Sequence, residues 1–139
     1  MRILFDTNVL LDLLLVRDPH VREAALITEY VETHRLTGVV AATTITTLSY
    51  FVERAYSATQ AREDIQNLLK LFEVASVGRK VLEDALAMGF EDYEDAVLHE
   101  AARAGQADGI VTRNTKDFDR AVLAIYSPLE LLHVLQAHI

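Results

Sequence analysis

Short apolar runs alternate along the chain with longer stretches in which apolar residues recur every three or four positions. The runs predict buried strands, and the longer stretches predict helices that bury one face. Five strands are predicted, at residues 2–5, 38–42, 73–77, 109–112 and 123–126. Predicted helices cover residues 9–16, 19–34, 43–56, 57–72, 79–88 and 92–104, and a last helix begins at Ser127 and Pro128. Because strands alternate with helices, we predict an α/β fold, a three-layer sandwich with a mostly parallel central sheet.

Polar residues and a glycine mark several of the predicted helix ends. Thr43 or Thr44 can cap the third helix, because a hydroxyl accepts a hydrogen bond from the first free amides. Ser57 or Thr59 can cap the fourth helix in the same way, and Gly105 is a typical helix stop. The fourth helix has the clearest apolar face, which consists of Ala61, Ile65, Leu68, Leu69 and Phe72.

Length and composition restrict the class of protein. The chain has 139 residues, 51% of them hydrophobic, and we predict a single domain over residues 1–139 with a substantial core. There is no cysteine, which excludes disulfides and thiolate metal ligands. No apolar run reaches the roughly 18 residues of a membrane helix, and Asp6 comes too early for a signal peptide. We therefore expect a cytoplasmic protein with no membrane partner.

The formal net charge of the chain is −8. Nucleic-acid-binding proteins normally present a basic surface, so this charge argues against broad nucleic-acid binding. It does not exclude a nuclease, because part of the negative charge would belong to metal ligands, and bound divalent ions reverse the local sign.

Acidic residues and one threonine lie near the ends of predicted strands or at a helix start. Asp6 directly follows the first strand, Thr112 ends the fourth, and Asp92 and Asp95 lie at a helix start. Ligands bind beyond the carboxyl ends of parallel strands, so we expect these residues to converge at one edge. Poorly solvated carboxylates repel one another and need protons or a cation. The pattern therefore predicts a metal site for phosphate chemistry. His99, four residues after Asp95, could orient it, although a surface position is expected.

Each of these acidic residues also has a purely structural interpretation. Asp6 can cap the helix that follows it, and Asp92 with Asp95 imitates a capping box. Asn114 and Asp117 follow a strand, where such residues commonly form turns and caps. The strand-end position favours a functional role for Asp6, and a functional role is also favoured for Asp95, whereas Asp92 stays open between the two roles.

Three segments, taken in order, resemble the motifs of the PIN-domain family of metal-dependent ribonucleases. They are DTNVLLD at residues 6–12, FEDYEDA at residues 90–96 and IVTRNTKDF at residues 110–118. The resemblance extends from Met1 to about Pro128 and is greatest to the bacterial branch that contains the toxins of toxin–antitoxin pairs. Each motif alone is modest, but the ordered set is fairly specific.

This resemblance implies an activity and its partners. A member of that branch would be a metal-dependent endoribonuclease that uses Mg²⁺ or Mn²⁺ to hydrolyse phosphodiester bonds of single-stranded or looped RNA. It would serve as the toxin of a pair and bind a small antitoxin protein. The ion would polarise the phosphate and lower the pKa of a bound water, with no covalent enzyme intermediate.

The resemblance also implies roles for individual residues. The implied metal ligands are Asp6, Asp92, Asp95, Asn114 and Asp117. The implied catalytic residues among them are Asp6, Asp95 and Asp117. The groups implied to contact phosphate or to orient the ligands are Thr7, Asn8 and Thr112. Asn114 stands where many relatives have aspartate, and an amide oxygen can still bind a hard cation.

One position departs from the family pattern. Many PIN nucleases carry a glutamate in the helix after the second strand, and alignment places Ser49 there, with Glu53 one turn later. If neither residue contributes, the alternative is a weak or inactive domain that binds RNA or a protein. A haloacid-dehalogenase-type phosphatase is disfavoured because Asn8 replaces its second aspartate. A receiver-like domain is disfavoured because Thr7 follows Asp6.

The last predicted helix is apolar on more than one face. Its apolar residues are Leu129, Leu131, Leu132, Val134, Leu135 and Ile139. One face can cover the sheet, and the remainder would form an exposed patch unless a second chain covers it. We therefore expect a homodimer; the alternative is a helix buried on two sides within one chain.

Overall fold

The structure, a computed structural model, describes residues 1–137. One five-stranded sheet lies at its centre, in the order β3-β2-β1-β4-β5. Its strands are β1 Arg2–Phe5, β2 Thr37–Ala41, β3 Glu73–Ala75, β4 Gly109–Val111 and β5 Ala124–Tyr126. Each neighbouring pair is parallel, which confirms the prediction of a mostly parallel sheet.

Helices cover both faces of this sheet. They are α1 Thr7–Leu14, α2 Val21–Glu32, α3 Ala42–Ala55, α4 Ala58–Leu71, α5 Arg79–Leu86, α6 Tyr93–Ala104 and α7 Pro128–Ala137, with a 3-10 helix at Thr115–Phe118. Helices α1 to α4 and α7 contribute to one apolar core, whereas α5, α6 and the 3-10 helix contribute to the other. Among residues 1–137, no helix is long and apolar enough to cross a bilayer.

The strands connect the two cores because successive side chains point to opposite faces. In β1, Ile3 and Phe5 belong to the core beneath α1 to α4, while Leu4 belongs to the core beneath α5 and α6. All three side chains are fully buried. A strand buried on both faces reads as a continuous apolar run, which is why the short runs in the sequence predict these strands well.

The order in which the chain adds strands to the sheet changes side between β1 and β4. It continues from β1 to β2 on one side, and from β4 to β5 on the other. Phe5 pairs with Val111, so both strands end at the same level. Parallel sheets bind ligands at such a switch point, beyond the carboxyl ends of the strands.

Two helix starts differ in how well the sequence predicts them. Ser57 caps α4 as expected, because its hydroxyl accepts a hydrogen bond from the amide of Gln60 at 3.0 Å. The expectation that Thr43 or Thr44 caps α3 is wrong. That helix begins at Ala42 after Ala41, with no side-chain cap, and Thr44 is buried inside it.

The predicted apolar face of α4 is correct except at one position. Ala61, Leu68 and Phe72 are buried and Ile65 packs against the same core, but Leu69 is 49% exposed. Successive helical residues are rotated by about 100°, so Leu69 cannot share the direction of Leu68.

Helix α7 packs within the chain, against α2 and β5. Leu131, Leu132 and Leu135 are buried in the core, and Leu129 is 54% exposed. Ile139 lies outside the described residues. The expected large apolar patch on α7 is therefore reduced to Leu129 among the residues described, and the homodimer stays a prediction.

We predict that Gly38→Ala destabilises the protein by about 1–3 kcal/mol, the usual cost of overpacking a core. A Cβ atom on Gly38 would lie 2.6 Å from the Phe72 ring and 3.1 Å from Val31, both in the core. Gly78→Ala is the matched control, because a Cβ there meets no atom within 4 Å. In urea unfolding, the free energy of unfolding of Gly38→Ala should be well below that of Gly78→Ala. Equal values would contradict the packing described.

Candidate active site

The backbone of Asp6 continues the hydrogen bonding of the sheet. Its amide donates to the carbonyl of Val111 at 2.9 Å, so the residue is fixed directly beyond β1 and beside the end of β4. Its Oδ1 atom accepts a hydrogen bond from the amide of Thr7 at 2.7 Å and caps α1. Capping therefore occupies one carboxylate oxygen and leaves the other for interactions across the sheet.

The second oxygen of Asp6 joins the two strand ends. Asp6 Oδ2 accepts a hydrogen bond from the hydroxyl of Thr112 at 2.7 Å and a longer one from the amide of Asn8 at 3.3 Å. Burial raises the pKa of Asp6 above its ordinary value, and the bonds from Thr112 and Thr7 oppose that rise. Burial is the larger effect, so the site holds a carboxyl group that gains from a nearby cation.

Asp95 lies in the first turn of α6 and is half-buried. Its pKa is raised from 3.8 to about 7, first by burial and then by the negative charges of Asp6, Asp92 and Asp117. These carboxylates are therefore close enough to influence one another. A shift of this size in a cleft is typical of a functional site.

A cavity of about 660 Å³ opens beside Asp95. Asp92 and Asp117 line it together with Asp95, and so do two basic residues, Lys116 and Arg120. Asp92 is exposed and caps α6, because its carboxylate accepts a hydrogen bond from the amide of Glu94 at 2.8 Å. The capping interpretation of Asp92 is thus confirmed, and its position at the cavity is compatible with a second role.

The other predicted site residues have different surroundings. Asn8 donates to Asp6, and its carbonyl oxygen accepts from the amide of Arg113 at 3.2 Å. The hydroxyl of Thr7 is buried against the hydroxyl of Thr44 at 3.0 Å, so it links α1 to α3. Asn114 is exposed, is not one of the residues in the described chain that line the cavity, and donates its amide to Thr112.

The donor set fits a hard divalent cation. Within residues 1–137, no three Asp, Glu or His side chains are already gathered into a ready-made metal site. However, the pKa values of Asp6 and Asp95 are both raised, chiefly by burial, and oxygen ligands suit Mg²⁺ or Mn²⁺. Mg²⁺ keeps several waters and uses one or two carboxylates, so Asp6 and Asp95 could hold it.

Ser49, which aligns with the glutamate of many PIN nucleases, lies away from the acidic cavity. Ser49 lines a groove between α3 and α4, with Ile45 and Ile65, and does not line the acidic cavity. The α3 residue that reaches the strand-end motif is instead Thr44, five positions earlier. A five-residue offset rotates a side chain by about 140°, so an acid at Ser49 would face α4. Glu53, one turn further, is exposed.

Sequence reasoning missed a buried ion cluster next to the site. Asp12 is 1% exposed, and its two oxygens accept from Arg17 Nε at 2.9 Å and from Arg113 Nε at 2.6 Å. Because the amide of Arg113 also holds Asn8, this cluster supports the residues around Asp6. The only signal in the sequence is a single acid inside an otherwise apolar run.

The expectation of a surface position for His99 is wrong. Its ring is fully buried, and its Nε2 atom accepts a hydrogen bond from the amide of Val122 at 3.0 Å. The acceptor role of Nε2 places the proton on Nδ1, which donates to Glu100 at 2.8 Å. His99 therefore connects α6 to the segment that follows the 3-10 helix.

Residues 2–116 match the sequence profile of the PIN domain family. The chain belongs to the PIN domain family. The match covers the first two motifs and the third as far as Lys116, one residue before Asp117, so the predicted family is confirmed. The five-stranded parallel sheet described above is the framework of this PIN domain.

Several solved structures share the fold of this PIN domain. A toxin–antitoxin complex from Klebsiella pneumoniae matches with a TM-score of 0.68 and 23% identity, over 90% of this chain and 96% of that one. FitAcB from Neisseria gonorrhoeae matches with a TM-score of 0.66 and 20% identity, over 91% and 98%. VapBC2 from Rickettsia felis, bound to a promoter DNA fragment, matches with a TM-score of 0.64 and 17% identity, over 91% and 100%. No curated protein matches the sequence.

We predict that Asp95 makes the stability of the PIN domain sensitive to pH. The folded chain binds a proton on Asp95 up to about pH 7, whereas the unfolded chain releases it near 3.8. The stabilisation by this proton is complete below the lower pKa and is lost as the pH rises through the higher one. In urea unfolding, Asp95→Asn should therefore gain stability relative to the unaltered protein as the pH rises across this interval. If the difference in free energy of unfolding between the two proteins does not change with pH, the raised pKa of Asp95 is contradicted.

Proposed function

We propose that this PIN domain is a Mg²⁺- or Mn²⁺-dependent endoribonuclease, and the toxin of a toxin–antitoxin pair. One observation supports the nuclease most directly. The buried Asp6 and the half-buried Asp95 both have raised pKa values, the negative charge of Asp6 contributes to the rise at Asp95, and Asp95 lines an open cavity of about 660 Å³. Such a site gains from a divalent cation, and the cavity leaves space for an RNA strand.

The residues have distinct roles in this hydrolysis. Asp6 and Asp95 would hold the ion, which when bound supplies a polarised phosphate and a water of lowered pKa. Thr112 and the Thr7 amide orient the Asp6 carboxylate by donating to its two oxygens. Asp117 is exposed at the cavity and can hold an ion or orient the attacking water. No covalent bond to the protein is needed.

A binding module without strong activity is the second candidate. Two observations favour it: Ser49 faces α4, and no three carboxylates within residues 1–137 are already gathered for metal binding. In that case Asp92, Asn114 and Asp117 would have no part in a reaction. Cleavage of RNA by the purified protein distinguishes the two candidates.

We predict that Asp6→Asn and Asp95→Asn each lower divalent-dependent RNA cleavage by at least about 100-fold, because loss of even an outer-shell partner of a metal ligand typically costs about 10- to 100-fold. Glu63→Gln removes an exposed carboxylate on α4 and is the control. Gel analysis of a labelled RNA should show cleavage that EDTA stops and added Mn²⁺ restores. Without metal, Asp6→Asn should unfold at the same or a higher temperature, because burial already disfavours the Asp6 carboxylate.

The controls separate a lost ligand from a lost fold. An Asp6→Asn protein that is folded and fully active would overturn the metal assignment. Cleavage that is equal in all variants and insensitive to EDTA would indicate a contaminating nuclease. Absence of cleavage by the unaltered protein, with every divalent ion tested, would favour the binding module.

The structural likenesses support a protein partner. The similar structure from K. pneumoniae is itself a toxin–antitoxin complex. We therefore propose that this chain binds a small antitoxin, and that a neighbouring reading frame encodes it. Co-expression of the two frames, followed by purification through a tag on the neighbour, would test the partner directly.

We also predict that the chain forms a homodimer. We propose a contact surface at the end of α3, because Tyr50 and Phe51 in this helix and Tyr56 directly after it are 55%, 43% and 54% exposed. Exposed aromatic groups of this kind commonly mark a contact surface. Light scattering of the unaltered protein should give twice the single-chain mass of 15.6 kDa, and the measured mass of the Phe51→Glu variant should be lower. A monomeric mass for the unaltered protein at micromolar concentration would defeat the prediction.

A further inference from the structure

We propose, on the basis of the nuclease function above, that Tyr93, Lys116 and Arg120 form the binding site for the RNA strand within the acidic cavity. Tyr93 stacks on a base, and the two cations contact phosphates on either side of the cleaved bond. All three residues line the cavity together with Asp95 and Asp117.

The two cations differ from the other basic residues around the site in being unpaired. Within residues 1–137, no carboxylate forms an ion pair with Lys116 or Arg120. By contrast, Arg17 and Arg113 are both bound to the buried Asp12. Lys116 and Arg120 are also exposed, so their charges are accessible to a ligand.

The charge around the cavity makes these two positions decisive for a polyanion. Five acidic and two basic side chains line the cavity, so its surface repels RNA except near the cations. Lys116 directly precedes Asp117 in the chain, which places a phosphate contact next to a candidate catalytic carboxylate. A bound divalent ion would offset part of the negative charge, so we expect RNA binding to strengthen when the ion is added.

Tyr93 offers a fixed aromatic surface at the same cavity. It is the first residue of α6, two positions before Asp95, and is 44% exposed. Its hydroxyl donates to the carbonyl of Leu82 in α5 at 2.8 Å. The ring is therefore held in place before a ligand arrives, and stacking costs little side-chain entropy.

Stacking and phosphate contacts together select the form of the RNA. A tyrosine ring can stack only on a base that is not enclosed in a duplex, whereas cations bind phosphates in either form. The site should thus bind a single strand more tightly than the same strand in a duplex, and this preference should depend on Tyr93.

Fluorescence anisotropy with a labelled single-stranded RNA tests this site. The background protein in this measurement is the otherwise unaltered chain with EDTA, which keeps the RNA intact because no divalent ion is available. Tyr93→Leu should weaken binding about 5- to 100-fold, and Tyr93→Phe, which keeps the ring but loses the bond to Leu82, should weaken it much less. Lys116→Gln and Arg120→Gln should each reduce the slope of log affinity against log salt by about 0.7. Lys80→Gln, on the outer surface of α5 and paired with Asp84, is the matched control.

The outcomes separate this inference from the nuclease itself. If the unaltered protein cleaves RNA but the Tyr93, Lys116 and Arg120 variants bind like Lys80→Gln, the strand site is wrong and the nuclease stands. If the variants weaken binding as expected but the unaltered protein cleaves no RNA, the strand site stands and the nuclease is wrong. If the unaltered protein neither binds nor cleaves RNA, both are wrong. Melting temperatures equal to that of the background protein would confirm that each variant is folded.

Discussion

The candidate site depends on the parallel pairing of β1 with β4. This pairing joins residues that are 106 positions apart in the chain, Asp6 and Thr112, through a 2.7 Å hydrogen bond. The bond forms because Phe5 and Val111 are in register, so the next residue of each strand leaves the sheet at the same level. The position of the site is therefore a property of the sheet as a whole and not of a local loop.

The two cores fix the register of that pairing. Ile3 and Phe5 are buried on one side of β1 and Leu4 on the other, so a one-residue slip would exchange the two sets of side chains. Beyond the strand end, Asp12 adds a second constraint by binding arginines from both sides of the site. Removing one member of a buried ion cluster leaves an uncompensated charge, which typically costs about 3–5 kcal/mol. The residues around Asp6 are thus held by apolar packing beneath them and by an ion cluster beside them.

The sequence predicts the fold well because buried parallel strands have an unmistakable apolar pattern. It also singles out Asp6 and Asp95, and the structure gives both a raised pKa, although Asp6 caps α1 at the same time. The sequence fails where two side chains meet across the fold. Nothing local indicates that Thr44 bonds to Thr7, or that Asp12 binds Arg113 about a hundred residues away. The error at Leu69 has a simpler cause, because one position along a helix rotates a side chain by about 100°.

The buried His99 has a consequence for the mobility of the acidic groups. Asp95 lies one turn before His99 on α6, and Asp117 lies in the 3-10 helix just before the amides that His99 binds. The same imidazole thereby fixes the spacing of the two backbones that carry these carboxylates. The side chains of Asp95 and Asp117 can still rotate about their torsions, which takes picoseconds to nanoseconds for exposed groups, without any movement of helices. Capture of a cation would then be a rotameric event on a rigid frame, and its rate would be set by desolvation of the ion and not by closure of the protein.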